Sequence, residues 1–126
     1  MNKPELQNPH NDKRGSIFLI KDFLKEGKEI NFSITKKGFA RGGCIHRQND
    51  EYLQVLEGEI DLTIGKSEYT TVLPGEWFRI ARESPHFYIA KEDSIVMEWG
   101  ATEEEKKEKD PTTRSIVDDI NKSMEN

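Results

Sequence analysis

Three residues whose side chains commonly bind metals lie close together in the middle of the chain: Cys44, His46 and Glu51. Cys44 and His46 are two positions apart, so their side chains share a face if both lie in one β-strand. Glu51 begins the next predicted strand and shares a face with Leu53 and Val55. If those apolar residues fill an interior, Glu51 is buried too, which is unfavourable without a cation or hydrogen-bond donors. The three residues are therefore a candidate metal site.

A fourth candidate ligand, His86, follows Ser84-Pro85 and opens another predicted strand, in which it shares a face with Tyr88. With Cys44 included, the donors are one sulfur, two nitrogens and one oxygen, which suits Zn. Without Cys44, two histidines and one carboxylate suit Fe(II), Mn or Ni with open coordination positions. The residues leave both sets open, and they also leave open a metal-free site in which Cys44 is a small buried apolar residue.

The candidate ligands lie in a long stretch whose apolar residues recur at every second position. From Ser16 to Trp99 this alternation is interrupted by Gly, Pro and Asp residues, which predicts short β-strands separated by turns. Glu57-Gly58 and Gly65-Lys66 are predicted hairpin turns, because glycine adopts positive φ without strain. Many short strands of this kind predict a sandwich or a barrel. The predicted strands are 16–20, 29–35, 40–46, 51–57, 59–64, 68–73, 77–81, 86–90 and 94–99.

The alternation also predicts which side chains fill the interior of this β domain. We expect Cys44, His46 and Glu51 to form an inward polar cluster, because the first two share a strand face and a short turn returns the chain at Glu51. The predicted aromatic walls of the pocket are Tyr52 or Tyr88, together with Trp77. The predicted apolar interior is Phe32, Ile34, Leu53, Val55, Ile60, Leu62, Ile64, Phe78 and Ile80.

The two ends of the chain differ from the β domain, which we place at residues 15–100. Residues 1–14 are polar and show no apolar period, so we predict an N-terminal tail. Residues 101–126 are predicted to be helical, since Thr102 and Glu105 have the spacing of a capping box. Asp110-Pro111 should end that helix, and a second should begin near Thr112. The apolar residues of the second helix recur at helical spacing and are Ile116, Val117, Ile120 and Met124.

Composition excludes several classes of partner. The chain has 126 residues, of which 19 are basic and 24 are acidic, and its formal net charge is −5. No basic face is implied, so we expect no nucleic-acid or anionic-membrane partner. No apolar run approaches the roughly 20 residues of a membrane span. The beginning of the sequence lacks an apolar signal segment, and Cys44 is its single cysteine. We therefore expect a cytoplasmic protein without an internal disulfide.

The spacing of the candidate ligands resembles the first motif of the cupin superfamily, Gly-x5-His-x-His-x3,4-Glu-x6-Gly. Residues 38–58 read Gly-x5-Cys-x-His-x4-Glu-x6-Gly, so the one departing ligand is Cys44, in place of the first His. Residues 74–86, from Pro-Gly to Pro-His, resemble the second motif, although the Asn that usually follows is absent. The resemblance implies an all-β double-stranded β-helix, or jelly-roll barrel, and a homodimer paired through a strand edge. It also maps metal ligands onto His46, Glu51 and His86, with Cys44 at the fourth position.

A second resemblance starts at Arg41. The segment Arg-Gly-Gly-Cys-Ile-His, residues 41–46, is similar to the Arg-Gly-x-His-x-His/Gln segment of cupins that act on nucleotide-linked sugars. In those cupins the Arg contacts phosphate and the first His is the catalytic base, usually without a metal. The resemblance therefore places Arg41 in the ligand pocket. It puts Cys44 at the position of the base, and a neutral thiol is a poor base unless its pKa falls.

Three functions remain open from the sequence. The first is a small cytoplasmic cupin that binds a divalent metal ion (Zn, Fe, Mn or Ni) and a small polar ligand, with catalysis undecided. The second is a metal-free cupin that binds or converts a nucleotide-linked sugar, in the manner of an isomerase or epimerase. The third is a ligand-binding module without catalytic activity. All three predict a small-molecule partner, because the barrel encloses room for a metal or one small ligand.

Overall fold

The structure is a computed structural model that describes residues 6–20 and 28–125. Within these ranges the chain forms β-strands in two antiparallel sheets, followed by a 3₁₀ turn and a helix, α1. The 3₁₀ turn is Glu105–Lys107 and α1 is Pro111–Ser123. The strands are β1 (Leu6–Asp12), β2 (Gly15–Ile20), β3 (Lys28–Thr35), β4 (Ala40–Gly42), β5 (Glu51–Glu57), β6 (Ile60–Ile64), β7 (Thr70–Val72), β8 (Trp77–Ile80), β9 (His86–Ala90) and β10 (Ser94–Thr102).

The strand order confirms the predicted fold class, an all-β jelly roll with a C-terminal helix. A six-stranded sheet has the order β1-β2-β3-β10-β5-β8, and a four-stranded sheet has the order β4-β9-β6-β7. Non-consecutive strands pair in both sheets, as expected when two sheets fold over one interior. No helix among the described residues is long and apolar enough to cross a membrane.

The interior of the barrel has two parts, which we call the apolar half and the polar half. The apolar half confirms most of the predicted core, and Ile64 and Phe78 pack against its edge. Its fully buried residues are Leu53, Val55, Ile60, Leu62, Val72, Ile80, Tyr88 and Val96. The polar half lies beside it on the inward faces of β3, β4, β5, β9 and β10, and its buried residues include Glu29, Asn31, Ser33, Arg41, His46, Glu51 and His86.

Strand β3 turns the opposite face inward from the one predicted. Phe32 and Ile34 were expected inside, but Ile34 is 40% exposed and Phe32 is only partly buried. The buried residues of the strand are the polar ones between them. The register explains the difference, because Phe32 is paired with Phe18 on one side and Met97 on the other. A shift of one residue exchanges the two faces of a strand, and a strict alternation does not say which face is inward.

The N-terminal segment is more ordered than predicted. Residues 1–5 of the predicted tail lie outside the described residues, but β1 falls within it and pairs antiparallel with β2. This hairpin extends the six-stranded sheet beyond the predicted start of the domain at residue 15.

Strand β4 is shorter than the predicted strand 40–46 because of two glycines. Gly42 and Gly43 have φ values of 128° and 99°. A Cβ atom at Gly42 would lie 2.5 Å from the carbonyl oxygen of His86, so the backbone of β9 approaches too closely for any side chain. After this point Cys44 forms only an isolated bridge with Lys109. Cys44 and His46 therefore do not lie on one regular strand.

The C-terminal segment contains the predicted capping box, but on a shorter helix. The backbone N–H of Thr102 donates to Glu105 Oε1 at 3.0 Å, and the N–H of Glu105 donates to Thr102 Oγ1 at 3.2 Å. The helix that follows is only the 3₁₀ turn. Helix α1 begins at Pro111 with Asp110 as its N-cap. It packs on the barrel through Val117, which is fully buried.

Candidate metal and ligand site

A cluster of two carboxylates and one imidazole occupies the centre of the polar half. Glu51 begins β5, His86 begins β9 and Glu98 lies in β10. His86 Nε2 is 3.1 Å from Glu51 Oε1 and 3.7 Å from Glu98 Oε2. One ligand atom from each of the three side chains lies within 4.8 Å of the other two. We refer to these residues as the Glu-His-Glu cluster.

The unpaired atoms around this cluster fit a bound cation. Among the described residues, nothing hydrogen-bonds to the two buried carboxylate oxygens of Glu51, to His46 Nε2 or to His86 Nδ1. The short approach of His86 Nε2 to Glu51 is therefore a contact that is not aligned for hydrogen bonding. Buried carboxylates without donors are unfavourable unless a cation compensates them. Two carboxylates and one imidazole offer the oxygen and nitrogen donors that Mn, Fe and Zn accept.

His46 lies beside the cluster. Its Nδ1 is 3.7 Å from Glu51 Oε2, and its ring is nearly perpendicular to that of His86, with the ring centroids 5.7 Å apart. Burial lowers the pKa of His46 to about 4, and the positive charge of His86 contributes to the same shift. His46 is therefore neutral at physiological pH, which is the form that can bind a metal.

The three cluster residues have opposing pKa shifts. Burial alone would lower the pKa of His86, but contact with Glu51 and Glu98 raises it to about 10. Burial, followed by the negative charge of Glu98, raises the pKa of Glu51. Burial also acts to raise the pKa of Glu98, but its contacts with His86 and Glu51 outweigh that effect and lower it. These shifts favour a protonated His86 and an ionised Glu98 at neutral pH.

The structure brings three of the four predicted ligands together and directs the fourth elsewhere. His46, Glu51 and His86 meet in the polar half, whereas the thiol of Cys44 donates to the carbonyl oxygen of Lys106 at 3.3 Å. Lys109 Nζ also donates to the sulfur of Cys44, at 3.4 Å. The interruption of β4 after Gly42 accounts for this placement. A metal-binding role for Cys44 stays a prediction.

Sequence reasoning missed Glu98. This residue pairs with Leu53 on β5 and with Asn31 on β3, so its side chain faces the interior. The alternation along β10 could have identified it. Ser94 and Val96 are buried, and Glu98 is the next residue at the same two-residue spacing, so a carboxylate is expected on the inward face. The motif resemblance ends near residue 90 and gave no reason to examine β10.

A cavity of about 370 Å³ opens onto the Glu-His-Glu cluster. One wall is the inward face of β3, with Glu29, Asn31 and Ser33. Other lining residues come from the C-terminal segment and the first hairpin, which surround the cavity with positive charge. The basic residues that line it are Arg14, Arg41, Lys106, Lys109 and Arg114. The cavity therefore has a carboxylate-rich centre and a basic periphery, in which Arg14, Lys106 and Arg114 are ion-paired with Asp12, Glu29 and Asp118.

Arg41 is one of the residues that line the cavity. Its side chain is held by two hydrogen bonds, from Nε to Thr35 Oγ1 at 2.7 Å and from Nη2 to the carbonyl oxygen of Ile34 at 3.2 Å. The residue is 4% exposed, and its buried Nη1 has no hydrogen-bond partner among residues 6–20 and 28–125. Burial lowers the pKa of this guanidinium, but an Arg stays charged in proteins. An anionic ligand would supply the missing partner.

The three predicted aromatic wall residues occupy different places. Tyr88 is inward but belongs to the apolar half, with its hydroxyl 3.2 Å from Thr35 Oγ1. Tyr52 stacks on Trp99, with the ring centroids 5.6 Å apart, and Trp77 is 58% exposed. Tyr52 and Trp77 thus lie on the outer face of the sheet. Adjacent strand residues point to opposite faces, so an inward Glu51 requires an outward Tyr52.

Comparisons with known proteins show the fold. No family model matches the sequence, and no curated protein matches it. Among solved structures, the chain is similar to the capsular polysaccharide assembling protein CapF from Staphylococcus aureus, with a TM-score of 0.64 and 20% identity over 79% of this chain and 29% of that chain. It is also similar to KdgF from Halomonas sp., with a TM-score of 0.60 and 17% identity over 77% of this chain and 86% of that one.

A third similar structure is an RmlC-like cupin from Shewanella frigidimarina, with a TM-score of 0.60 and 12% identity over 79% of this chain and 84% of that one. These likenesses show that the chain has the cupin fold. Against CapF, the chain spans less than a third of the length of that protein.

Proposed function

We propose that the chain binds a divalent metal ion and a small anionic molecule together in the barrel cavity. The observation that carries the proposal is the convergence of Glu51, His86 and Glu98, whose ligand atoms lie within 4.8 Å of one another. These three side chains would hold the metal, with neutral His46 next to them, and metal binding would release the proton that His86 carries in the metal-free protein. A bound divalent metal polarises ligand oxygens and lowers the pKa of coordinated water.

The basic periphery supports an anionic ligand. Arg41 is pre-positioned by its two hydrogen bonds and keeps one buried nitrogen for a further acceptor. A guanidinium held in this way binds carboxylate or phosphate with little loss of side-chain entropy. The solved structures with this fold include a sugar phosphate isomerase of the cupin superfamily and a capsular polysaccharide assembling protein. These neighbours support a carbohydrate-type ligand.

A second candidate is a metal-free cupin with acid–base chemistry, as in the isomerase-like alternative. It is favoured by the pKa values of the cluster, because a protonated His86 already compensates the charge of Glu98. The raised pKa of Glu51 brings this carboxyl closer to neutrality, where a general acid or base is most effective. In this form Glu51 would hold or release the proton and His86 would stabilise a developing negative charge.

Metal titration separates the two candidates. Protein purified without added metal would be analysed for bound elements and, after treatment with a chelator, titrated with Mn²⁺ and Zn²⁺ by calorimetry. We expect one site per chain, with affinity at least about tenfold weaker in Glu98→Gln. Cys44→Ser is the matched control, because the thiol lies outside the Glu-His-Glu cluster. The metal affinity of this variant should equal that of the unmodified protein.

Equal weakening in both variants would instead support a four-ligand site that includes Cys44. Absence of metal in the purified protein, together with no heat of binding, would overturn the metal proposal and leave the metal-free candidate.

A homodimer is also part of the proposal, and it rests on the motif resemblance. Light scattering should then give twice the 14.6 kDa chain mass. A mass equal to that of one chain would contradict it.

A further inference from the structure

The inward face of β3 carries buried polar atoms that the metal site leaves unused. Glu29 is 3% exposed and Asn31 is 9% exposed, and both line the cavity. Glu29 Oε2 and Asn31 Oδ1 are buried and have no hydrogen-bond partner in the part of the chain that the structure describes. Buried polar groups are almost always paired, so two unpaired acceptors on one wall need an explanation. We refer to Glu29 and Asn31 as the β3 wall.

The β3 wall is not a second cation site. Lys106 Nζ lies 2.8 Å from Glu29 Oε1, so the charge of this carboxylate is already compensated. Lys106 comes from the 3₁₀ turn after the barrel, and it reaches the wall from the C-terminal segment. The remaining oxygen of Glu29 and the amide of Asn31 are therefore free to pair with neutral donors. Hydroxyl groups are donors of this kind.

The wall adjoins the Glu-His-Glu cluster. Asn31 is paired in register with Glu98 across β3 and β10. Residues opposite each other in an antiparallel pair have their Cβ atoms about 5 Å apart on the same face. Glu29 is the next inward residue of β3, two positions before Asn31. A ligand that reaches the cluster would therefore lie along both acceptors.

We propose that the β3 wall binds the hydroxyl groups of the ligand, which makes the ligand a hydroxyl-rich anion such as a sugar acid or a sugar phosphate. Glu29 and Asn31 would accept hydrogen bonds from the hydroxyls, and Arg41 would bind the carboxylate or phosphate. The inference deepens the proposed function and rests on it for the location of the ligand in the cavity. It does not depend on which metal is bound.

The test compares probes that differ in one feature. Binding of glucuronate, glucose 6-phosphate, glucose and cyclohexanecarboxylate would be measured by calorimetry, with and without Mn²⁺. We expect at least one hydroxylated anion to bind about tenfold or more tightly than cyclohexanecarboxylate, which has the charge and ring without the hydroxyls. Glucose, which has the hydroxyls without the charge, should bind more weakly than that anion. Tighter binding of glucuronate would indicate a carboxylate ligand, and tighter binding of glucose 6-phosphate would indicate a phosphate ligand.

Asn31→Leu is the decisive variant. It replaces an amide whose buried oxygen is unpaired by a branched apolar group, so the melting temperature should stay the same or rise. The preference for the hydroxylated anion over cyclohexanecarboxylate should fall about tenfold. Phe32→Leu is the matched control, because it changes the same strand on its outer face, and it should keep the preference. Glu29→Gln retains the shape of the wall and gives a second measurement if the leucine variant does not fold.

The proposal is overturned if the unmodified protein binds none of the anions at millimolar concentration, or binds hydroxylated and unhydroxylated anions equally. It is also overturned if Asn31→Leu keeps the preference. Metal titration of Asn31→Leu separates this result from the proposed function. Retained metal binding without a hydroxyl preference rejects the β3 wall alone, whereas a hydroxyl preference without metal binding rejects the metal site alone.

Discussion

The apolar half and the polar half of the barrel interior are built from the same strands. Strand β5 contributes Leu53 to the apolar half and Glu51 to the polar half. Strand β10 likewise contributes Val96 to one and Glu98 to the other. On each strand, the apolar residue and the charged residue are successive side chains of the inward face, two positions apart. One rigid scaffold therefore supports both regions.

The two halves differ in whether their buried atoms need hydrogen-bond partners. In the apolar half, buried side chains gain stability simply by leaving water. In the polar half, several buried atoms lack hydrogen-bond partners, including those of Glu51, His46 and Arg41. Unpaired buried groups destabilise a fold and are retained where they serve a ligand. The comparison indicates that the apolar half stabilises the fold and that the unpaired polar groups offset part of this stabilisation.

The largest expected effect is in the apolar half. Leu53→Ala should lower the free energy of unfolding by about 2–5 kcal/mol, because it leaves a cavity beside fully buried neighbours. Urea denaturation measures the change. Leu56→Ala is the matched control on the same strand, since Leu56 is 44% exposed, and its effect should be within about 0.5 kcal/mol. Equal effects of the two variants would contradict the division of the interior.

The next largest effect concerns the loop that connects His46 to Glu51. Glu105 accepts hydrogen bonds from the backbone N–H groups of Gln48 and Asn49, at 2.8 and 3.0 Å. Glu105→Gln should destabilise the protein by about 1–3 kcal/mol, because hydrogen bonds to a charged acceptor are strong. Thermal denaturation monitored by circular dichroism tests this.

Glu104→Gln is the matched control for that variant. The neighbouring Glu104 side chain is 84% exposed and forms an ion pair with Lys107. Its replacement should change the stability by no more than about 0.5 kcal/mol. A larger loss of stability in Glu104→Gln than in Glu105→Gln would contradict a stabilising role for the hydrogen bonds between Glu105 and the loop.

Acid should weaken the same loop. Burial on its own raises the pKa of Glu105, but hydrogen bonds from Thr102, Asn49 and Gln48 outweigh it and lower the pKa to about 2. A carboxyl with a depressed pKa stabilises the fold above its ordinary value of 4.5 and loses that contribution as the pH falls toward about 2. Glu105→Gln should therefore flatten the dependence of stability on pH between these limits. Parallel curves for the two proteins would exclude Glu105 as the source.

The smallest expected effect is in the polar half. His46→Leu should leave the stability at pH 7.5 unchanged or raise it by up to about 1 kcal/mol, because it removes an unpaired buried nitrogen. The measurement uses protein treated with a chelator, so that no bound metal contributes. The same variant should bind Mn²⁺ more weakly. A loss of stability comparable to that of Leu53→Ala would show that the polar half contributes to the fold as the apolar half does.

Local patterns were sufficient to predict most of the strands and part of the site. The strands 51–57, 59–64 and 86–90 agree with β5, β6 and β9 to within one residue. These elements depend on alternation and on turn-forming Gly and Pro, which act within a few residues. His46, Glu51 and His86 were predicted as ligands from equally local features, the residue spacings within the two motifs.

What the sequence by itself determined is therefore most of the strands and three candidate side chains, His46 and Glu51 from the first motif and His86 from the second. Tertiary structure decided which face of β3 is inward, that Glu98 joins Glu51 and His86, and that the Cys44 thiol donates to the carbonyl oxygen of Lys106. Each of these depends on pairing between residues far apart in the chain. An alternating strand reads the same from either face, and only the register with its neighbours selects one.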